Sequence, residues 1–259
     1  MVSMIETLML QTVEERPDLR HRIQALIRDV WPTYVTESTW PKGHPLPYDW
    51  MGIYDRWPHL QFGLCDGDCR NLVAEGNCLA LAWDGNAEEL PDEGWNWAMH
   101  QAEQDYRAGR TPTIACALSI TLDPNRRGQN LSRNAVLAMR DLAQRAGYTR
   151  LIAPVRPTWK HRYPLTPIQE YIRWTTHDGL PFDPWIRVHV RLGARIVKPC
   201  ERSMVMAGTV AEWEEWGNLP LPASGTYVVP GLLSTLQVDR EADECVCVEP
   251  NVWIEHRLA

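Results

Sequence analysis

The ten residues Asp123 to Ser132, DPNRRGQNLS, bring together groups suited to an anion. Arg126 and Arg127 supply charge, Gly128 lets a ligand come close to the main chain, and Asn130 tolerates a left-handed backbone. Gln129, Leu131 and Ser132 complete the segment, which leads from an apolar run into an amphipathic one. A strand that turns tightly into a helix leaves unpaired N–H groups at the helix mouth, where the helix dipole also favours negative charge. The turn therefore reads as a seat for a diphosphate. The same residue types also serve a solvated turn, and turn chemistry alone does not separate the two. Two further side chains stand out. His189 sits in WIRVHVRLG beside an apolar face of Trp185, Val188 and Leu192, and Thr158 sits between Pro157 and Trp159. A structural histidine and a turn-forming threonine are the plainer readings of these two.

The elements that must position these groups follow from periodicity and punctuation. Residues 5–11 suit a first strand, and Pro17 opens a helix with Leu19, Ile23, Leu26, Ile27 and Val30 on its apolar side, stopped by Pro32. Residues 31–58 are dense in Pro, Trp and Tyr and read as an ordered lid. LQFGLCD (60–66) and NCLALAWD (77–84) form an expected hairpin, and 94–109 a helix closed by Gly109. TIACALSITLD (113–123) is apolar enough for a central strand. After the turn comes a helix with Val136, Met139, Leu142 and Ala143 on one face and Gly147 as its stop, then the strand TRLIAPV (149–155). This strand–helix–strand unit implies a right-handed parallel crossover. Asp183-Pro184 opens a later helix, ARIVK and SMVMAGTV read as two strands, and the last forty residues suggest a small antiparallel extension.

Composition narrows the function classes. The chain has 259 residues, 44% hydrophobic and 23% charged, with a net charge of -7. That balance speaks against nucleic acid or an anionic membrane as partner, and no apolar run is long enough for a transmembrane helix. The first residues lack a basic signal-peptide region, so a cytoplasmic protein is expected. Seven cysteines, with CDGDC and CVC among them, do not make a four-ligand set; buried free thiols and no metal are expected. Thirteen tryptophans against two phenylalanines suit core packing or a flat-walled tunnel.

The stretch LDPNRRGQNLSRNAVLAMRDLAQRAGY resembles the coenzyme A pyrophosphate signature of the GCN5-related N-acetyltransferase (GNAT) superfamily, which opens a helix after the fourth strand. Laid onto this chain, the signature gives Arg127, Asn130 and Ser132, with Asn130 and Ser132 where the family has glycine or another small residue. The resemblance implies a mixed α/β fold, a central sheet splayed at strands 4 and 5, an aromatic-rich lid and a small β C-terminal extension. It implies one domain over 1–259, with a core to about residue 210. It also implies a coenzyme A thioester, acetyl-CoA or malonyl-CoA, as co-substrate.

Such enzymes acylate amines and often take a base from the fourth strand, yet TIACALSITLD offers only Thr113, Ser119, Thr121 and Asp123 as polar groups. The base then comes from the lid or the C-terminal region, or the chemistry differs. APVRPTWKHRYPLTPIQEYIRW, GLPFDPWIRVHVRLGA and SMVMAGTVAEWEEW look like the GNAT-like decarboxylase and loading domains that start some polyketide synthases. That resemblance implies Thr158 and His189 as catalytic residues and Trp50 and Arg202 as part of the substrate tunnel. A hydroxyl and an imidazole suit the oxyanion left when a malonyl thioester loses CO2. Three readings stay open: an acyltransferase using acyl-CoA or an acyl carrier protein, a malonyl-thioester decarboxylase, and a non-catalytic module that binds CoA or a protein.

Overall fold

The computed structural model describes residues 8–43, 49–67, 71–126 and 130–258. Strands β1 (Leu8–Thr12), β2 (Phe62–Asp66), β3 (Asn71–Leu81) and β4 (Ile114–Leu122) pair antiparallel in chain order. Strand β5 (Arg150–Val155) joins β4 in parallel, the crossover running through a helix as the strand–helix–strand pattern requires. Strands β6 (Arg195–Gly208), β7 (Gly225–Tyr227), β8 (Leu236–Asp239) and β9 (Glu244–Arg257) complete a nine-stranded mixed sheet among the described residues. Its order is β1-β2-β3-β4-β5-β9-β8-β7, with β6 also paired to β9. The helices are α1 (Leu19–Val30), α2 (Thr33–Glu37), α3 (Ile53–Arg56), α4 (Gly94–Arg107), α5 (Leu131–Arg145), α6 (Ile168–Tyr171), α7 (Pro184–Arg191) and α8 (Val210–Gly217).

Two glycines show which helix covers which face of the sheet. A Cβ on Gly76 of β3 would lie 2.3 Å from the Phe62 ring and 2.9 Å from the Met139 methyl of α5, so this side of β3 packs on α5. Its neighbours Glu75 and Asn77 point the other way, since side chains alternate along a strand. On that second face a Cβ at Gly63, directly opposite Glu75, would meet Leu19 of α1 at 3.5 Å. The buried stripes agree with the periodicity. Leu19, Ile23 and Ile27 face inward on α1, and Val136, Met139, Leu142 and Ala143 do so on α5.

Three expectations change. The hairpin's second strand begins at Asn71 rather than residue 77. The two strands read in 194–210 are one, β6, kinked by bulges. The expected core boundary near residue 210 is crossed by β9, which is no peripheral extension: it fills the position between β5 and β6. Pro250 hid this, because a proline normally interrupts a central strand. Here β6 bulges between Cys200 and Met204, directly across from Pro250, and the missing N–H falls where pairing is already broken.

Candidate functional site

β4 and β5 pair only at Ala115–Leu151 and Cys116–Ile152, and then part. Each strand carries a local cause. In the β3–β4 register Asn77 faces Ser119 and Cys78 faces Ala117, so Leu118 is an unmatched bulge residue. On β5, Leu258 N–H donates to Thr149 O, which makes the odd positions the ones bonded to β9. The even positions therefore turn towards β4, and after Ile152 the next is Pro154, which has no N–H to offer.

The gap opens into a cavity of about 1210 Å³, above the usual ~300–1,000 Å³ of small-molecule sites. Pro124 and Ser132, beside the turn, line its α5 side. β4 from Ala117 to Leu122 and β5 from Ala153 to Val155 form the waist, and Trp31, Trp40, Trp50 and Trp95 wall the α1 side. The tryptophans thus serve both readings made from composition, because Trp213 and Trp253 are fully buried core.

At the turn, Asn130 has φ 55 and ψ 22, the left-handed conformation its side chain tolerates, and it delivers the chain into α5. The first N–H groups of α5 have no intrahelical acceptor and open beside the cavity wall at Ser132. Leu131 is buried in the core. Arg126 forms an ion pair with Asp66 of β2 at 2.9 Å. Arg127, Gly128 and Gln129 lie outside the described residues. Asn130 and the head of α5 thus suit a diphosphate at one side of the cavity.

Thr158, His189, Trp50 and Ser132 all line this one cavity. Asp183 sets the first two. Its Oδ1 caps α7 by accepting from Trp185 N (3.0 Å) and Ile186 N (3.2 Å), while Oδ2 accepts from Trp159 N and the Tyr171 hydroxyl at 2.8 Å each. One buried carboxylate thereby ties the Thr158 loop to the helix carrying His189. Arg202 lies elsewhere: it is exposed on β6, paired with Glu93, and its N–H bonds Asp92 O. Met204, Val205 and Met206 of the same strand line the cavity, but Arg202 sits in the bulge between Cys200 and Met204 and is not among the lining residues.

His189 is 4% exposed, and its Nδ1 lies 2.9 Å from Nε2 of His256 on β9. Burial pushes both imidazoles down, His189 to about 3 with a contribution from His256, and His256 to about 4 with a contribution from Arg140. Both are neutral near pH 7, so one nitrogen of the contact donates and the other accepts. If His189 Nδ1 donates, its Nε2 offers a lone pair to the cavity; if His256 donates, Nε2 offers an N–H. Nε2 is buried and has no hydrogen-bond partner among the described residues, and the residue lines the cavity.

Sequence reasoning missed further polar groups at and behind the cavity wall. Arg156 and Asn251 line the cavity, and Glu249, 0% exposed, holds Arg156 by two bonds of 2.6 and 2.9 Å. On β3, Glu75 and Asn77 are both 0% exposed and share the α1 face with Ser119 and Thr121 directly opposite. The visible signal was a Glu and an Asn two apart inside an apolar run. Starting the strand at residue 77 left Glu75 in the turn.

No protein-family model matches the chain. An arginine N-acetyltransferase, avaD of Aspergillus versicolor, is 28% identical over 278 residues, covering 96% of this chain and 93% of its own. The loading GNATL domain of CurA from Lyngbya majuscula superposes with a TM-score of 0.57 at 16% identity, over 97% of this chain and 98% of that one. The GphF GNAT-like decarboxylase, solved in complex with isobutyryl-CoA, gives 0.58 at 14% identity, over 97% and 100%.

Proposed function

We propose that this member of the GNAT superfamily transfers an acyl group from a coenzyme A thioester to the amine of a small acceptor. The observation that carries the reading is the cavity through the β4–β5 gap. It runs from the head of α5, suited to a diphosphate, to an aromatic chamber under α1. Asn130 and the free amides of α5 would hold the diphosphate, and the bare edges of β4 and β5 would flank the pantetheine arm. The bound thioester supplies the activated acyl carbon; the chain positions it, excludes water with its tryptophan walls, and handles the proton. The arginine N-acetyltransferase name of the full-length relative supports an amine acceptor, and the isobutyryl-CoA complex of GphF supports a CoA donor. Buried thiols at Cys65, Cys78, Cys116, Cys200, Cys245 and Cys247 suit a reducing cytoplasm.

A second reading is decarboxylation of a malonyl-type thioester, with an acyl carrier protein as an alternative donor. Thr158 and neutral His189, both lining the cavity, favour it, since an Nε2–H and a hydroxyl can stabilise an enolate oxygen. Incubation with acetyl-CoA and malonyl-CoA, with amines and with or without a carrier protein, separates the readings by mass spectrometry. Acylated amine without CO2 loss supports transfer. CO2 loss without an acceptor supports the second reading. Binding without turnover leaves a non-catalytic module and overturns both.

A further inference from the structure

Resting on the acyl-transfer reading, we propose that Glu75 receives the acceptor's proton through the Thr121 hydroxyl, and that the acceptor enters as an organic ammonium ion. Glu75 lies at the middle of β3 with 0% exposure, and its Oε1 has no hydrogen-bond partner among the described residues. Asn77 Nδ2 donates to Oε2 and also to Ser119 Oγ at 3.0 Å, which fixes the carboxylate. Thr121 is directly opposite Glu75, lines the cavity, and faces the carboxylate with its hydroxyl and main chain. Trp31 Nε1 donates to Thr121 Oγ1 at 2.8 Å. That bond fills one lone pair of the hydroxyl. Its proton is left to point at Glu75, and its second lone pair is left for a donor in the cavity.

A lone carboxylate behind a wall of tryptophans suits a cation. Trp31, Trp40, Trp50 and Trp95 line the cavity with rings of the kind that attract an ammonium, and Glu75, once ionised, would offer the compensating charge. The proton balance closes. The ammonium passes one proton to Thr121 Oγ1 while Thr121 passes its own to Glu75. The freed amine forms a C–N bond to the acyl carbon, the thioester C–S bond breaks, and the thiolate takes the second N–H proton. Glu75 then releases its proton to solvent.

Burial raises the Glu75 pKa to about 8, with Thr121 opposing the rise, which sets a proton acceptor near working pH. The titratable groups interacting with it are Tyr54 on α3 and Cys78 on β3. Both are raised by burial and stay neutral through the assay range. From α1, Arg20 lies 5.5 Å over the Tyr54 ring, and Gln24 donates to the Tyr54 hydroxyl. Because the acceptor must be a carboxylate, kcat falls as pH drops through the Glu75 pKa.

The test compares wild type, Glu75→Gln, Thr121→Val and Thr121→Ser with acetyl-CoA and two acceptors. Benzylamine is charged at neutral pH, whereas phenylhydrazine is not. Glu75→Gln and Thr121→Val should lower kcat for benzylamine about 100-fold and remove its acid limb. Phenylhydrazine turnover and acetyl-CoA affinity should change less than about threefold on the same scale, and Thr121→Ser should restore benzylamine turnover. Equal losses on both acceptors, or an unchanged benzylamine pH profile, overturn the assignment. A wild type inert towards both amines overturns acyl transfer instead. Infrared spectroscopy then decides Glu75 alone: a carboxylic acid band absent from Glu75→Gln should vanish near pH 8 and shift to lower pH with benzylamine. A band that benzylamine leaves unmoved refutes the proposal.

Discussion

Replacing Glu249 by Gln tests the buried ion pair at the cavity wall. The carboxylate is 0% exposed, and the Arg156 side chain it holds is 18% exposed. Glu249 Oε1 also accepts Leu233 N–H at 2.8 Å, and Arg156 Nη2 donates to Gly231 O at 3.1 Å. The amide keeps the shape and the Leu233 acceptor but removes the charge, leaving a largely buried guanidinium without its counter-ion. Breaking one partner of such a pair costs about 3–5 kcal/mol. For a chain of this size that corresponds to a fall in melting temperature of roughly 6–20 °C. Scanning calorimetry and urea titration on the single variants and on Arg156→Met/Glu249→Gln complete a double-mutant cycle. The double variant should be less damaged than the sum of the singles by about 1–3 kcal/mol, because no charge is then left alone. A loss under about 1 kcal/mol in Glu249→Gln, or strictly additive effects, would refute the claim that the pair is desolvated and coupled.

The paired imidazoles make a pH prediction. Their folded pKa values lie below the unfolded value, so the unfolded chain binds more protons. Their stabilising share is complete above about pH 6.5 and is lost as pH falls towards 4 and 3. Between pH 7.5 and 5 each should cost about 2 kcal/mol, read as a drop in urea midpoint that His189→Gln/His256→Gln flattens. Asp183→Ala removes a helix cap and strands two further donors, so a loss of about 2–4 kcal/mol is expected by calorimetry. Its turnover should fall more than its acetyl-CoA affinity, since the cut falls between Thr158 and His189. His189→Ala should lower turnover at least about 100-fold while binding holds, and a smaller effect discards it as a catalytic group.

Local pattern made much of the molecule readable. The apolar run of β4, the turn with Asn130 in its left-handed state, the stripe of α5 and the Asp183-Pro184 start of α7 are each written in a few neighbouring residues. What escaped depended on partners far along the chain. His256 gains meaning only because β9 lies beside β5, and Glu75 only because the register sets it opposite Thr121. Arg202 shows the converse, a residue placed by spacing whose strand lands it with Glu93 on the surface. The β9 strand was obscured by Pro250, whose tolerance depends on a bulge some fifty residues earlier.

Pro154 carries a last consequence. Adjacent strands tend to zip along their whole length, yet here the seam stops where one side bulges and the other has lost a tooth. A visitor slipping an extended arm into the notch meets no closed ladder to pry apart. It would dock as a guest strand does, with the vacancy already written into the backbone.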